Sequence, residues 1–248
     1  MLTIAGTARF ISDLHLRAER PDLTGRFAAF LADTAAANID ALFILGDLFE
    51  YWIGDDDLAD PFNAQVCKLL RDLADRGTRI YFIAGNRDFL IGGTFAATAG
   101  MRLLSDVETV GAGGTATLLM HGDTVCTDDL PYQEFRRMVR AKAWQESFLA
   151  RPLTERRAEV ENLRRRSAEA MQGKTAAIMD ANADAICAAL AAHGCIRLIH
   201  GHTHRPGREQ IPLASGSAER WVLSDWDTGR GDALEIDATG VRRLDCSN

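Results

Sequence analysis

The sequence predicts an α/β fold with a largely parallel sheet, and two observations support this prediction. Residues 41–45 form a short run of branched and aromatic side chains, typical of a strand that is covered on both faces. Strand-like runs and helical patterns also alternate in the order βαβαβ along the first third of the chain, which favours parallel strands joined by helical crossovers. The 248 residues are enough for a substantial core, and we expect a single domain over residues 1–248.

The composition is that of an ordinary soluble globular protein. Hydrophobic residues make up 47% of the chain and charged residues 25%, and no apolar run approaches the length that spans a bilayer. Residues 1–9 lack the basic start and long apolar stretch of a signal peptide. The five cysteines are odd in number and form no CxxC pair. This indicates reduced thiols in a cytoplasmic protein and argues against a disulfide framework or a cysteine-rich zinc site.

The first part of the chain is predicted to contain three strands and two helices. The strands are expected at residues 9–12, 41–45 and 79–84, and the helices at residues 21–37 and 62–76. Pro21 at the start of the first helix and Gly77 after the second are typical of helix ends. Apolar residues recur on one stripe of each helix, such as Phe27, Phe30 and Leu31 in the first.

The second part combines a hairpin, a helical block and further strands. The hairpin is predicted from residues 107–110 and 115–120 around residues 111–114. The glycines of that turn are not expected to bind phosphate, because no helix begins after them. The helical block is expected over residues 131–192, and short strands over residues 196–199, 221–224, 233–236 and 241–244.

Positive charge is concentrated in the helical block. Residues 131–175 contain 11 Lys and Arg against 6 Asp and Glu, a local charge of +5, whereas the remaining residues carry −12 and the whole chain −7. We expect this segment to form a basic helical cap, inserted within the domain, that meets an anionic partner such as phosphate, nucleic acid or an anionic membrane. A solvated helix face explains the same charge equally well.

Seven side chains of the kinds that bind metals follow the predicted strands. They are Asp13, His15, Asp47, Asn86, His121, His202 and His204. Oxygen and imidazole ligands without thiolate favour Mn²⁺, Fe²⁺ or Zn²⁺. In the DxH and HxH pairs, the first and third residues of an extended segment point the same way. Seven ligands are too many for one tetrahedral ion, so we expect two ions that share the carboxylate of Asp47.

Each of these residues alone has a commoner explanation. An Asp after a strand usually caps a turn, and a single His usually lies on the surface or in the core. The ordered combination is more specific, because four of the six histidines fall in strand-end motifs. The other two, His193 and His200, are expected at a helix terminus and in strand packing.

The strand-end motifs resemble the five-block signature of calcineurin-like metallophosphoesterases, in order and in separation. The motifs are Ser12-Asp13-Leu14-His15, Gly46-Asp47, Gly85-Asn86-Arg87-Asp88, His121-Gly122-Asp123 and Gly201-His202-Thr203-His204. The resemblance implies a four-layer αββα sandwich with a dinuclear metal site at the strand ends. It also implies that Asp13, His15 and His204 hold one ion, that Asn86, His121 and His202 hold the other, and that Asp47 bridges them.

Arg87 departs from the family pattern, since many members carry a histidine here that is thought to protonate the leaving group. An arginine does not act as a general acid near neutral pH, but its guanidinium can grip a phosphate at two points. This favours a leaving group that needs little protonation, such as a phosphate in a pyrophosphate linkage. The metal could equally stabilise that second phosphate.

Longer strings at residues 46–56, 85–90, 121–129, 178–182 and 202–206 are similar to a subfamily of lipid A pathway pyrophosphatases. This resemblance implies hydrolysis of UDP-2,3-diacylglucosamine to UMP and 2,3-diacylglucosamine 1-phosphate (lipid X), by attack of a metal-bound hydroxide on the α-phosphorus, usually with Mn²⁺. The implied catalytic residues are Asp47, Asn86, Arg87 and His202. The implied substrate contacts are Asn86, Arg87, Asp129, Tyr132, Arg164, Ser167, Met171, Lys174 and His202.

Met171 stands where close relatives are expected to carry an asparagine, and its thioether cannot reproduce the hydrogen bonds of an amide. It could instead touch an acyl chain or a sugar face. Further apolar surface for acyl chains is offered by Phe148, Leu149, Leu153, Val160 and Leu163. Packing between the helices accounts for most of these residues.

The expected location is the cytoplasm, with the basic cap on the cytoplasmic face of the inner membrane. The arginines that can face phosphates or lipid are Arg151, Arg156, Arg157, Arg164, Arg165 and Arg166. Nucleic acid is not expected as a partner, because aromatic residues for base stacking cluster only at the start of the block. The oligomeric state stays open.

Two alternative functions are retained. One is another nucleotide pyrophosphatase, phosphodiesterase or nuclease on the same scaffold. The other is a metal-free interaction scaffold, which would be expected to have lost ligand residues.

Overall fold

A computed structural model describes residues 2–171, 180–214 and 216–247, without the side chains of residues 166–171. Its strands are β1 (Leu2–Thr3), β2 (Ala8–Ile11), β3 (Ala41–Ile44), β4 (Arg79–Phe82), β5 (Met101–Leu103), β6 (Val107–Ala112), β7 (Thr115–Met120), β8 (Arg197–His200), β9 (Gly207–Leu213), β10 (Gly216–Val222), β11 (Asp232–Asp237) and β12 (Gly240–Asp245). Its helices are α1 (Pro21–Ala36), α2 (Pro61–Ala74), α3 (Gly93–Ala99), α4 (Leu130–Arg140), α5 (Lys142–Leu149), α6 (Leu153–Met171) and α7 (Ala183–His193).

The strands of the described residues form two six-stranded sheets. The first sheet has the order β12-β11-β2-β3-β4-β5, and the second has the order β1-β6-β7-β8-β10-β9. In the first sheet, β2, β3, β4 and β5 pair in parallel, and α1 and α2 connect the first three of them. The predicted parallel βαβαβ unit is therefore confirmed.

Three apolar clusters separate four layers. One lies between the first sheet and helices α1 to α3, one between the two sheets, and one between the second sheet and α7. In β3, Leu42 and Ile44 belong to the first cluster, whereas Phe43 belongs to the second, because successive side chains of a strand point to opposite faces. The predicted αββα sandwich is confirmed, and β3 is buried on both faces as expected.

An aromatic ladder crosses the parallel strands on the face toward the second sheet. Phe10, Phe43 and Tyr81 are register partners on β2, β3 and β4. Their rings stack with centroid distances of 5.0 and 4.8 Å. Stacked cross-strand pairs stabilise the alignment of neighbouring strands, so this ladder supports the level at which the three strands end.

The predicted helical block over residues 131–192 is confirmed for the described residues, where it is divided into separate helices. The described part of that block consists of α4, α5 and α6, followed after residues 172–179 by α7. Helix α7 packs on the second sheet, so the block contributes to a structural layer as well as to a separate group of helices. The hairpin turn is also shorter than predicted, because β6 extends to Ala112 and only Gly113 and Gly114 connect it to β7.

Four elements have no counterpart in the predictions: β1, α3, β5 and β9. Helix α3 begins with glycine, and β5 has three residues. Strand β9 lies at the edge of its sheet and exposes most of its residues, so it lacks an alternating apolar pattern. None of the helices in the described residues combines the length and apolar character that crossing a membrane requires.

Candidate metal centre and adjoining pocket

Five strand ends converge and bring the seven predicted ligand side chains into one cluster. Asp13 and His15 follow β2, Asp47 follows β3, and Asn86 follows β4, all in the first sheet. His121 follows β7, and His202 and His204 follow β8, in the second sheet. The cluster therefore lies across the ends of both sheets.

One group within the cluster consists of Asp13, His15 and His204. The potential ligand atoms of these three side chains all lie within 4.8 Å of one another. His204 Nε2 is 3.4 Å from Asp13 Oδ1 and 3.5 Å from His15 Nε2. Two imidazoles and a carboxylate at this spacing can hold one divalent cation.

The second group consists of Asn86, His121 and His202. Asn86 Oδ1 is 2.9 Å from His121 Nε2 and 3.0 Å from His202 Nδ1, and these two nitrogens are 3.2 Å apart. Asp47 Oδ2 lies between the groups, 3.8 Å from His121 Nε2 and 3.9 Å from His15 Nε2. This is the position that a bridging carboxylate requires.

The backbone of the cluster is unusual. Among the described residues, six non-glycine residues have a positive φ, and five of them are cluster residues with φ between 48° and 66°. They are Asp13, His15, Asp47, His202 and His204. The assumption that the DxH and HxH pairs lie on extended segments is therefore wrong, although both members of each pair reach the cluster. Left-handed backbone at non-glycine residues is sparsely populated and concentrates at functional sites.

Glycines beside the ligands allow the loops to approach one another. A Cβ on Gly85 would overlap the carboxylate and the backbone nitrogen of Asp47. A Cβ on Gly201 would overlap the carboxylate of Asp13 and the hydroxyl of Ser12. The glycine in each motif therefore has a steric reason.

Asp88 fixes the loops after β3 and β4 from behind. Its fully buried carboxylate accepts hydrogen bonds from the backbone N–H groups of Gly85 (2.9 Å), Asp47 (3.2 Å) and Leu48 (2.7 Å). Burial, together with the charge of Asp47, raises the pKa of Asp88 to about 7. Asp88 thus holds two ligand loops together without being part of the cluster.

Hydrogen bonds also orient the ligands themselves. His121 Nδ1 lies 2.8 Å from the carbonyl oxygen of Leu45, to which it can donate, so that Nε2 faces the cluster. Asp13 Oδ2 accepts hydrogen bonds from Ser12 Oγ (2.6 Å) and His202 N (2.8 Å). Each side chain therefore keeps one atom directed at the cluster.

The electrostatics are strongly perturbed. Burial raises the pKa of Asp47 to about 6 and lowers the pKa values of His15 and His202 to about 4. Burial also acts to lower the pKa of His121, but Asp47 and other nearby carboxylates outweigh it and raise the pKa to about 9. Displaced pKa values of several neighbouring groups are typical of functional sites.

The cluster fits divalent cations. Asp13 is fully buried, and its Oδ1 atom has no hydrogen-bond partner among the described residues. A buried carboxylate oxygen without a partner is costly unless a cation compensates it. The donor atoms are oxygens and imidazole nitrogens without a thiol, which suits Mn²⁺, Fe²⁺ or Zn²⁺.

A pocket of about 360 Å³ opens beside the cluster. Its polar part includes Asn86, Arg87, Asp123, Tyr132 and Arg164. Its apolar part includes Phe89, Leu90, Phe135, Val139, Trp144, Phe148, Val160 and Leu163. Helices α4, α5 and α6 supply most of these apolar side chains. The pocket therefore connects the candidate metal centre to an apolar interior.

The structure brings four predicted substrate contacts to this pocket and places two more nearby. Asn86, Arg87, Tyr132 and Arg164 line it, and His202 lies in the metal cluster. Asp129 lies at the start of α4, where its carboxylate accepts a hydrogen bond from Tyr132 N at 3.2 Å. The side chains of Ser167 and Met171, and Lys174 as a whole, lie outside the described residues.

One cap arginine, Arg156, is not arranged as predicted, and a second, Arg157, is paired within the protein. Arg156 is 1% exposed and donates to the carbonyl oxygen of Ile53 and the carboxylate of Asp56. Arg157 pairs with Asp57. Both side chains tie α6 to the loop after β3, because acidic residues of that loop lie opposite. Arg156 is buried by this contact, whereas the Arg157 side chain stays 45% exposed.

Three acidic residues beside the cluster are absent from the predicted set. Asp225 Oδ2 is 3.6 Å from His204 Nδ1, and Asp225 follows the predicted strand 221–224, so the strand-end criterion would have found it. Asp123 is part of the His121 motif and accepts a hydrogen bond from the Tyr132 hydroxyl at 2.9 Å. Glu50, beside His15, lies in an acidic loop with no local signal that singles it out.

Comparison with known proteins identifies the family and named relatives of this chain. The family model for calcineurin-like phosphoesterase matches residues 7–206. A UDP-2,3-diacylglucosamine hydrolase of Aromatoleum aromaticum is 50% identical over 220 residues, which are 89% of this chain and 89% of that protein. Proteins of the same name from Chromohalobacter salexigens (96% of both chains) and Serratia proteamaculans (95% of this chain, 97% of that one) are each 44% identical.

A solved structure shares the architecture. A dimetal phosphatase from Danio rerio aligns with a TM-score of 0.52 over 98% of this chain and 99% of that chain. At 12% identity this likeness concerns the fold alone.

Proposed function

The chain belongs to the calcineurin-like phosphoesterase family, and from that premise we propose that it hydrolyses the pyrophosphate bond of UDP-2,3-diacylglucosamine to UMP and 2,3-diacylglucosamine 1-phosphate. One structural observation carries the proposal: a mostly apolar pocket opens onto a cluster of metal-binding side chains. A substrate that carries acyl chains on a sugar next to a pyrophosphate matches both parts. The names of relatives at 44% to 50% identity indicate which such substrate it is.

We assign the cluster to two divalent ions, with Mn²⁺ as the proposed metal. Asp13, His15 and His204 would hold one ion, and Asn86, His121 and His202 the other, with Asp47 shared between them. When bound, such a pair of ions makes a water-derived nucleophile available near neutral pH and neutralises charge on the phosphate. Burial favours the neutral imidazoles of His15 and His202, which is the form that binds metals.

Arg87 is proposed to grip the substrate phosphate. Its side chain lines the pocket, and its backbone N–H donates to Asp47 Oδ1 at 2.9 Å, which fixes it beside the metal centre. A guanidinium stabilises the negative charge that develops during attack on the α-phosphorus. The leaving group is then a sugar phosphate, which needs little protonation, so arginine can stand where other family members have an acid.

The apolar part of the pocket is proposed to hold acyl chain. Phe135, Trp144 and Leu163 come from three different helices and face the same space. Each methylene removed from water contributes about 0.8 kcal/mol. A substrate without acyl chains would therefore bind far more weakly than the lipid substrate.

We also propose that α4, α5 and α6 act as a cap that rests on the anionic cytoplasmic face of the inner membrane. Leu130 and Met138 on α4 are 72% and 50% exposed, and Arg137 beside them is exposed as well. Apolar and basic side chains on one exposed helix suit an anionic lipid surface. Since Arg156 and Arg157 are paired internally, this contact would depend on other residues of the cap.

Substrate comparison tests the proposed function. Turnover with Mn²⁺ would be measured for UDP-2,3-diacylglucosamine, UDP-glucose, ADP-ribose and single-stranded DNA, and we expect strong preference for the first. Preference for a substrate without lipid would refute the assignment and favour another phosphodiesterase or a nuclease. Protein purified without chelator that holds no metal and shows no Mn²⁺-dependent turnover would favour a metal-free scaffold.

Isotope labelling tests the attacked atom. In ¹⁸O-water, attack on the α-phosphorus places the label in UMP, which mass spectrometry detects. Label in the sugar phosphate would show attack on the other phosphorus. Sedimentation with vesicles that contain anionic lipid, compared with neutral vesicles, tests the membrane contact separately.

A further inference from the structure

We propose that Glu50 is a positioning residue that links the metal centre to the phosphate-binding arginines, and that Arg17 is a further member of this arginine set. Glu50 has four cationic or imidazole groups within 4.0 Å of its carboxylate. This role presupposes the proposed function, because it requires a metal at His15 and a phosphate at Arg87.

The backbone fixes Glu50 opposite residues 15–17. Pairing between the chains that leave β2 and β3 continues beyond both strands, with His15 N donating to Asp47 O at 3.0 Å and Leu16 N donating to Leu48 O at 2.9 Å. Glu50 N then donates to Leu16 O at 3.1 Å. The backbone of Glu50 is therefore held opposite residues 15–17 by main-chain hydrogen bonds.

One carboxylate oxygen faces the metal centre. Glu50 Oε2 is 3.6 Å from His15 Nδ1 and 3.2 Å from Arg17 Nη1. His15 Nδ1 is buried and has no hydrogen-bond partner among the described residues, while Nε2 of the same ring faces Asp47. A carboxylate behind the second nitrogen of a metal-binding histidine fixes the orientation of the ring and raises its basicity.

The other oxygen faces the pocket. Glu50 Oε1 is 2.7 Å from Arg164 Nη2 and 4.0 Å from Arg87 Nη1. The Glu50 side chain is only 11% exposed, so these contacts are little screened by solvent. Three guanidinium groups against one carboxylate leave an excess of two positive charges, which matches the two negative charges of a pyrophosphate diester.

Metal binding without substrate tests the first part of this proposal. Mn²⁺ would be titrated calorimetrically into metal-stripped wild type, Glu50→Ala, Glu50→Gln and Asp72→Asn. The last variant is the matched control, since Asp72 is an exposed carboxylate paired with Lys68 on α2. We expect Glu50→Ala to weaken Mn²⁺ binding by about 10- to 100-fold and Asp72→Asn to leave it unchanged.

Steady-state kinetics test the second part. Arg17→Gln is expected to raise KM for the lipid nucleotide by about 10-fold, as loss of one charge-assisted hydrogen bond does, while kcat and Mn²⁺ affinity stay at the wild-type level. Inhibition by UMP should weaken in parallel. Glu50→Ala is expected to impair both metal affinity and KM.

Several results would overturn the proposal. Wild-type Mn²⁺ affinity in Glu50→Ala would remove Glu50 from the support of His15, and an unchanged KM in Arg17→Gln would remove Arg17 from the phosphate set. If circular dichroism shows that Glu50→Ala does not fold, Glu50→Gln carries the same test, because it keeps the shape and removes the charge. Wild-type protein that binds no Mn²⁺ would refute the metal centre itself, which distinguishes failure of the proposed function from failure of this inference.

Discussion

A tryptophan at position 160 is expected to shorten the apolar pocket while leaving the metal centre intact. Val160 lies on α6, is partly buried against the main core and lines the pocket, and it is not one of the seven cluster residues. Its neighbours in the pocket include Trp144 and Phe148, whose ring centroids are 4.9 Å apart in a stacked pair that packs against the main core. The indole must therefore extend into the space of about 360 Å³ that the acyl chain is proposed to occupy.

The size of the effect follows from the apolar surface that the substrate would lose. If the indole displaces about four methylenes at about 0.8 kcal/mol each, the loss is about 3 kcal/mol. This corresponds to a decrease of about 200-fold in kcat/KM. Most of the decrease should appear in KM, because the acyl chain contributes to ground-state binding and transition-state binding alike.

The assay compares two substrates. kcat/KM would be measured with Mn²⁺ for UDP-2,3-diacylglucosamine and for bis(p-nitrophenyl) phosphate, which has no acyl chain. Val160→Trp should lose activity toward the first and stay within about two-fold of wild type toward the second. Ala158→Trp is the matched control, since Ala158 is exposed on the opposite face of α6. Equal losses toward both substrates, or no loss toward the lipid nucleotide, would refute the placement of the acyl chain.

Three further predictions concern the metal centre. His121→Ala should lower turnover by about 100-fold or more because one metal ligand is lost, with an unchanged circular dichroism spectrum; wild-type turnover would exclude His121 from the ligands. Gly85→Ala should abolish Mn²⁺-dependent activity, because the added Cβ would overlap Asp47. Gly93→Ala is the control and should stay active, because nothing lies within 4 Å of the new Cβ. Removing the metal with a chelator should lower Tm reversibly, because a bound ligand at 100 times its Kd stabilises the folded state by about 2.7 kcal/mol. A Tm that responds neither to the chelator nor to added Mn²⁺ would contradict a contribution of the ions to stability.

The sequence is informative about the site because each predicted ligand follows a strand with a local signature. Short apolar runs that end in glycine and a polar residue identify the ends of β3, β4 and β8, and parallel strands place such ends at one edge. All seven predicted ligand side chains lie together for this reason. Their left-handed backbone could not be predicted, since φ at Asp13 or His204 is imposed by the neighbouring loops.

Features of the site that depend on tertiary contacts could not be predicted from the sequence. Nothing in the sequence around Glu50 distinguishes it from the other acidic residues of its loop, because its role depends on side chains from the loops after β2 and β4 and from α6. The inward direction of Arg156 likewise depends on Asp56 across the interface. The pocket could not be outlined in advance, since its wall combines three helices and three loops. Hydrophobic periodicity does not indicate the angles at which these elements pack.

The route of the chain separates two tasks. The side chains assigned to the ions all lie on loops that follow strands of the two sheets. Most of the apolar lining of the pocket instead comes from α4, α5 and α6, one continuous stretch between β7 and β8. Exchanging that stretch would alter which molecules fit without shifting the register of either sheet. A relative with a different insert at this point could keep the same hydrolytic centre and choose another substrate.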